Sequence, residues 1–166
     1  MKILNKRLTS KAQFRDYVDN LKFYPWFRPK RVVMHHTSSH ISSWQNSASM
    51  LHYWNLYRSR GWKSGPHIFI APSGIWLFTP LNKKGTTSTK QLNKDSIHIE
   101  IVGKYYDYEP IDDDICRYTA IVSEILLQRF NLSIDKFEMH YTYEGGENCS
   151  PHVGKNWIAK IWNKYL

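Results

Sequence analysis

Residues 97–102 read Ile-His-Ile-Glu-Ile-Val and stop at Gly103. Clean alternation of this kind belongs to an extended strand, whose side chains point to opposite faces in turn. Glu100 therefore lies on the face opposite Ile99 and Ile101, where a carboxylate is solvated, ion-paired or poised in a cleft. Arg31 to His36 is a second short, buried strand, because Val32-Val33-Met34 is apolar and mostly β-branched. His67 to Ala71 and Ile75 to Thr79 are strand-like on either side of Pro72-Ser73-Gly74, a hairpin turn.

Helices fall between these strands. Ser10 caps one over Lys11 to Asn20, with Phe14, Tyr17, Val18 and Leu21 on one side. Pro25 and Pro29 then force an extended stretch. Ser42 or Ser43 starts a second helix that runs to about Arg60 and ends at Gly61. Lys83 to Asn93, rich in Thr, Ser and Lys, reads as a loop over one end of the sheet. Asp112-Asp113-Asp114 puts negative charge where a helix N-terminus favours it. That helix continues to about Phe130 with Ile115, Thr119, Val122, Leu126 and Phe130 on one face. Trp157 to Tyr165 is a final amphipathic helix. Alternating helices and strands predict an α/β sheet covered by helices.

The 166 residues suit one domain. No apolar run approaches the roughly 18 residues that cross a bilayer. The start, Met1 to Arg7, is basic but has no apolar stretch behind it, so no secretory signal and a cytoplasmic synthesis are expected. The formal charge of +9 favours polyanionic partners: nucleic acid, an anionic membrane or an acidic cell wall. Its Lys and Arg residues are scattered, and no motif interleaves them with base-stacking rings. Nucleic acid and membrane insertion are therefore not expected.

Three points gather metal-ligand side chains. His35 and His36 end the strand that begins at Arg31, His140 follows Phe137-Glu138-Met139, and Cys149 lies nine residues on. Zinc takes imidazole nitrogen and thiolate sulfur tetrahedrally, and catalytic sites use three protein ligands plus water. The same residues also admit a plainer reading, as hydrogen-bonded histidines and a small buried cysteine. Beside a metal, Glu100 would serve as general base and then protonate a leaving amine.

Taken together these segments resemble the zinc-dependent N-acetylmuramoyl-L-alanine amidases, a family that includes phage lysozyme-type amidases and animal peptidoglycan recognition proteins. Val32-Val33-Met34-His35-His36-Thr37 is similar to the family's apolar strand ending in His-His-Thr. Gly65-Pro66-His67-Ile68-Phe69-Ile70 is similar to its second strand, and Asn93 to Gly103 to its Asn-x-x-Ser-Ile-Gly-Ile-Glu-x-x-Gly segment. The resemblance implies a central, mainly mixed sheet flanked by helices, with residues 1–30 a helical extension packed on an amidase domain of residues 31–166. It implies one zinc ion held by His35, His140 and Cys149, with Glu100 as the catalytic carboxylate. It also implies hydrolysis of the amide between N-acetylmuramic acid and L-alanine of peptidoglycan.

The expected partner is peptidoglycan or a muropeptide, and the expected state a monomer. The lifestyle implied is that of a bacteriolytic, antimicrobial phage endolysin; cytoplasmic action on muropeptides also suits the chain. The alternative is a non-catalytic peptidoglycan-binding module of the same fold.

His36, Thr37, His67, His98, His152 and Trp44 are candidates for touching substrate or supporting the ligands. Exposed, Trp44, Tyr53 and Trp54 would stack on sugar, but core packing of a helix is the expected use of at least two of them. The chain departs from the family pattern at Pro66 (usually Tyr), His98 (usually Gly) and Glu147 (usually basic). Cys149-Ser150-Pro151-His152 replaces Cys-Pro-Gly, and aligning on the proline would put Ser150 at the third ligand position. Cys149 is preferred because a thiolate outcompetes a hydroxyl for zinc.

Overall fold

A computed structural model describes residues 2–105, 110–143, 146, 149 and 157–166. The order of elements is β1 (Lys6–Leu8), α1 (Lys11–Asp19), β2 (Arg31–His36), α2 (Ser47–Ser59), β3 (Ile68–Ala71) and β4 (Gly74–Leu77). Next come α3 (Lys90–Asp95), β5 (Ser96–Ile101), α4 (Asp113–Phe130), β6 (Phe137–Met139) and α5 (Trp157–Tyr165). The strands form one sheet in the order β1-β4-β3-β5-β2-β6. It is mixed: β1 and β3 flank β4 antiparallel, whereas β3, β5, β2 and β6 run parallel. The expected α/β architecture is therefore the observed one.

Both faces of the sheet are covered, so its central strands are buried along their whole length. On one face Val32, Met34, Ile68, Ile70, Ile97, Ile99 and Ile101 pack against Phe14 and Val18 of α1, several α4 side chains, and Ile158 and Ile161 of α5. Each such side chain contributes about 1.5–3 kcal/mol by leaving water. Within α4 the buried hydroxyls of Thr119 and Ser123 donate to the carbonyls of Ile115 and Thr119, both at 2.7 Å. Ser123 Oγ also accepts Trp162 Nε1 at 2.8 Å, which ties α5 to α4 without an orphaned polar group.

A second core forms on the opposite face from Met50 and Tyr57 of α2 with Phe69, Trp76, Phe78 and Val102. It accounts for a correction. α2 begins at Ser47, not at Ser42 or Ser43, which lie in a 3₁₀ turn spanning Ile41–Ser43. Trp44 is drawn inward against Phe69 and Trp76, with ring centroids 5.8 and 6.1 Å away. Its extended backbone and the positive φ of 54° at Asn46 then postpone the helix. The segment read as loop from Lys83 to Asn93 also needs amending, because α3 begins inside it. Thr89 caps that helix by accepting from the Leu92 N–H, and Leu92 is buried. No helix among the described residues is long and apolar enough to cross a membrane.

Candidate metal centre

Strand parity determines which of the two adjacent histidines faces the second core. His35 pairs in register with Glu100, and Val33 with His98, so these side chains share a face of the β2–β5 ladder. β6 lies on the other side of β2 and delivers His140 immediately after Met139. The ligand atoms of His35, His140 and Cys149 all lie within 4.8 Å of one another. The two imidazole centroids are 4.3 Å apart.

The donor set suits zinc. Two nitrogens and one sulfur converge from three directions, as a tetrahedral ion with bonds of roughly 2.0–2.3 Å requires. Burial first, then His98, His140 and His36, hold His35 well below its ordinary pKa, so its ring is a neutral lone-pair donor. The Cys149 thiol is pushed up to about 12, chiefly by burial; a backbone hydrogen bond from His36 pulls it down and Glu100 pushes it up. Without a cation that sulfur stays protonated, and a bound cation would convert it to thiolate.

Both imidazoles are engaged at Nε2. His35 Nε2 lies 3.0 Å from His98 Nδ1 and 3.3 Å from Thr87 Oγ1. His140 Nε2 lies 2.8 Å from Ser88 Oγ. Thr87 and Ser88 come from the loop ahead of α3, and sequence reading missed them because a hydroxyl in a polar loop has no pattern of its own.

Glu100 is buried beside this cluster. Burial raises its carboxyl to about 8, against the downward pull of the Arg60 charge and of the Tyr57 hydroxyl. Of the three settings the alternation allowed, burial rules out the solvated one. Tyr57 is pushed well above its own ordinary value, by burial first and by Glu100 next, and so remains a donor.

The remaining candidates have other places. The His36 ring accepts the Tyr105 N–H at Nδ1, 2.9 Å away, near the Tyr105 ring. Thr37 Oγ1 accepts from the Gly103 N–H at 3.1 Å and closes the end of the sheet. His67 is fully buried between two backbone groups: Nε2 donates to the Lys83 carbonyl at 2.8 Å, and Nδ1 accepts from the His98 N–H at 2.9 Å. Trp44, Tyr53 and Trp54 are partly buried against the second core, the packing role expected of at least two of them. The exposed indole is Trp26, at 71% of its surface, stacked on Tyr24. His152, Glu147, Ser150 and Pro151 lie outside the described residues.

The family described as N-acetylmuramoyl-L-alanine amidase matches residues 25–153. Among solved structures, the N-acetylmuramoyl-L-alanine amidase LysC from Clostridium intestinale URNW shares 19% identity and a TM-score of 0.68, over 87% of this chain and 89% of that one. The endolysine amidase LysCS from the same organism gives 21% and 0.66, over 86% and 91%. A mutant of Drosophila PGRP-LB in complex with tracheal cytotoxin gives 20% and 0.64, over 85% and 83%. At these identities the likeness is one of fold. No curated protein sequence matches the chain.

Proposed function

Because the chain belongs to the N-acetylmuramoyl-L-alanine amidase family, we propose that it is a zinc-dependent hydrolase. Its reaction is cleavage of the amide joining N-acetylmuramic acid to L-alanine in peptidoglycan. The observation that carries this reading is the convergence of two imidazoles and one sulfur, from His35, His140 and Cys149, beside a buried carboxyl. His35, His140 and Cys149 would hold a zinc ion, which would supply Lewis acidity to the scissile carbonyl and to water.

The protein's own groups move the protons. Glu100, with a carboxyl near 8, takes a proton from the attacking water and returns it to the departing L-alanine nitrogen. A pKa close to the working pH serves both halves of that exchange. Tyr57 of α2 favours the ionised form of that carboxyl. Pro66 carries no hydroxyl to assist, so Glu100 bears the proton traffic itself.

The net charge of +9 draws the protein to anionic wall polymers, which supports an endolysin acting on intact wall. Metal analysis of the purified chain, paired with turnover of a muropeptide with and without chelator, tests the reading. One zinc per chain and chelator-sensitive release of the peptide are expected. A zinc-free chain that binds muropeptide and leaves it intact would make this a binding module instead.

A further inference from the structure

The loop that carries Thr87 and Ser88 is pinned along its length. At its start His67 Nε2 donates to the Lys83 carbonyl. Gly85 lies so close to the same ring that a Cβ there would stand 2.7 Å from His67 Cε1. Thr86 donates its N–H to the Gly65 carbonyl at 3.0 Å, and its hydroxyl meets that of Ser64 at 2.7 Å. At the far end Asn93 Oδ1 accepts the N–H groups of Thr87 and Ser88, each at 3.2 Å, and Asn93 Nδ2 donates to the Ser88 carbonyl at 2.8 Å. The two hydroxyls therefore reach His35 and His140 from a backbone held by hydrogen bonds at both ends.

His98 reaches His35 from the sheet side. It is fully buried in a strand whose neighbours Ile97, Ile99 and Ile101 are apolar, and its Nε2 has no hydrogen-bond partner among the described residues. A position used only for packing would hold an apolar side chain, since a buried orphan nitrogen is costly. The geometry explains the imidazole. If His35 gives its Nε2 proton to His98 Nδ1, the His35 Nδ1 lone pair is left for a metal, and the His98 proton must sit on Nε2. A metal-bound imidazole commonly donates its second nitrogen to such a partner, which fixes both tautomer and ring rotation.

We infer that Thr87, Ser88 and His98 are positioning residues that hold His35 and His140 protonated at Nε2, with Nδ1 as the nitrogen each offers to the metal. This rests on the zinc reading above and adds the supporting residues to it.

The test uses the zinc-loaded chain. Long-range proton–nitrogen spectra assign the metal-bound nitrogen of each ring, and chelator competition gives zinc affinity for the parent, Ser88→Ala, Ser88→Thr, Thr87→Val and His98→Gln. Nδ1 is expected to be the bound nitrogen in both rings. Ser88→Ala should weaken zinc binding by about tenfold or more, with the metal-free melting temperature unchanged and with recovery in Ser88→Thr. If His98→Gln does not fold, the two hydroxyl variants still decide the matter. Binding through Nε2 in either ring, or parent-like affinity in both Ser88→Ala and Thr87→Val, overturns the inference alone. A parent chain that takes up no zinc overturns the zinc reading as well.

Discussion

Tyr57, on the helix that covers the second core, draws down the pKa of the Glu100 carboxyl on the strand beside the metal centre. The phenol favours the ionised acid, while burial, the larger effect, disfavours it. Tyr57→Phe should therefore move the Glu100 pKa further upward. As a base Glu100 must be ionised, so kcat/KM rises with pH through that pKa. The acidic limb of the pH profile should shift to higher pH in Tyr57→Phe; an unmoved limb would show that the hydroxyl does not tune the acid.

Glu100→Gln separates chemistry from metal binding. Turnover should fall by about 10²–10⁴-fold, the usual worth of a positioned acid–base group, with zinc content unchanged. The metal-free Glu100→Gln chain should gain stability relative to the metal-free parent at alkaline pH. The folded chain keeps the Glu100 proton up to about 8, whereas an unfolded chain releases it near 4.5. Stability contributed at this site thus falls as pH rises across that window, by at most about 5 kcal/mol at roughly 1.4 kcal/mol per unit. Denaturant unfolding of parent and Glu100→Gln at pH 5 and pH 8 checks the sign.

The metal-free protein should be acid-labile in a defined range. Burial lowers His67 from 6.5 to about 4, its bonds with Lys83 and His98 opposing this, and His35 and His98 shift in the same direction. The unfolded chain takes up protons near 6.5 that the folded chain refuses, so stability is lost as pH falls from about 6.5 toward 4. His67 accounts for about 3 kcal/mol of that loss. A stability curve that is flat between those pH values would contradict the burial of these rings.

Cys149→Ser should release zinc at chelator concentrations that the parent withstands, since a hydroxyl is a far poorer ligand than a thiolate. Activity should fall with the metal content. Full zinc retention in this variant would take Cys149 out of the ligand set.

Gly85→Ala places a methyl 2.7 Å from His67 Cε1 and 2.9 Å from the Gly65 carbonyl oxygen. Neither is the end of a flexible side chain. A loss of about 1–3 kcal/mol is expected from the overpacking, measurable as a lowered melting temperature.

Long patterned segments were readable from the residues. The alternation of β5, the β-branched run of β2, the hairpin at Pro72-Ser73-Gly74 and the capped helices α1 and α4 all form where their local chemistry places them. Elements of three residues were not, because β1 and β6 are too short for a period to show. The start of α2 was misplaced because tertiary packing of Trp44 overrides the local capping signal. At the site, alternation put Glu100 on its correct face, but the groups it acts on or is acted on by, Tyr57, Arg60 and Cys149, are distant in sequence. Thr87, Ser88 and Asn93 acquire their partners only once the loop is folded.

The adjacency of His35 and His36 has a bearing on how the chain must assemble. The two side chains are chemically identical, and the pleat of β2 alone sends one toward Cys149 and the other toward Tyr105. A slip of one residue against β5 would exchange them and would also drive Val32 and Met34 out of one core and into the other. Misregistered chains are therefore penalised on two sides of the sheet at once, so the same packing that stabilises the fold also proofreads which histidine is offered to the ion.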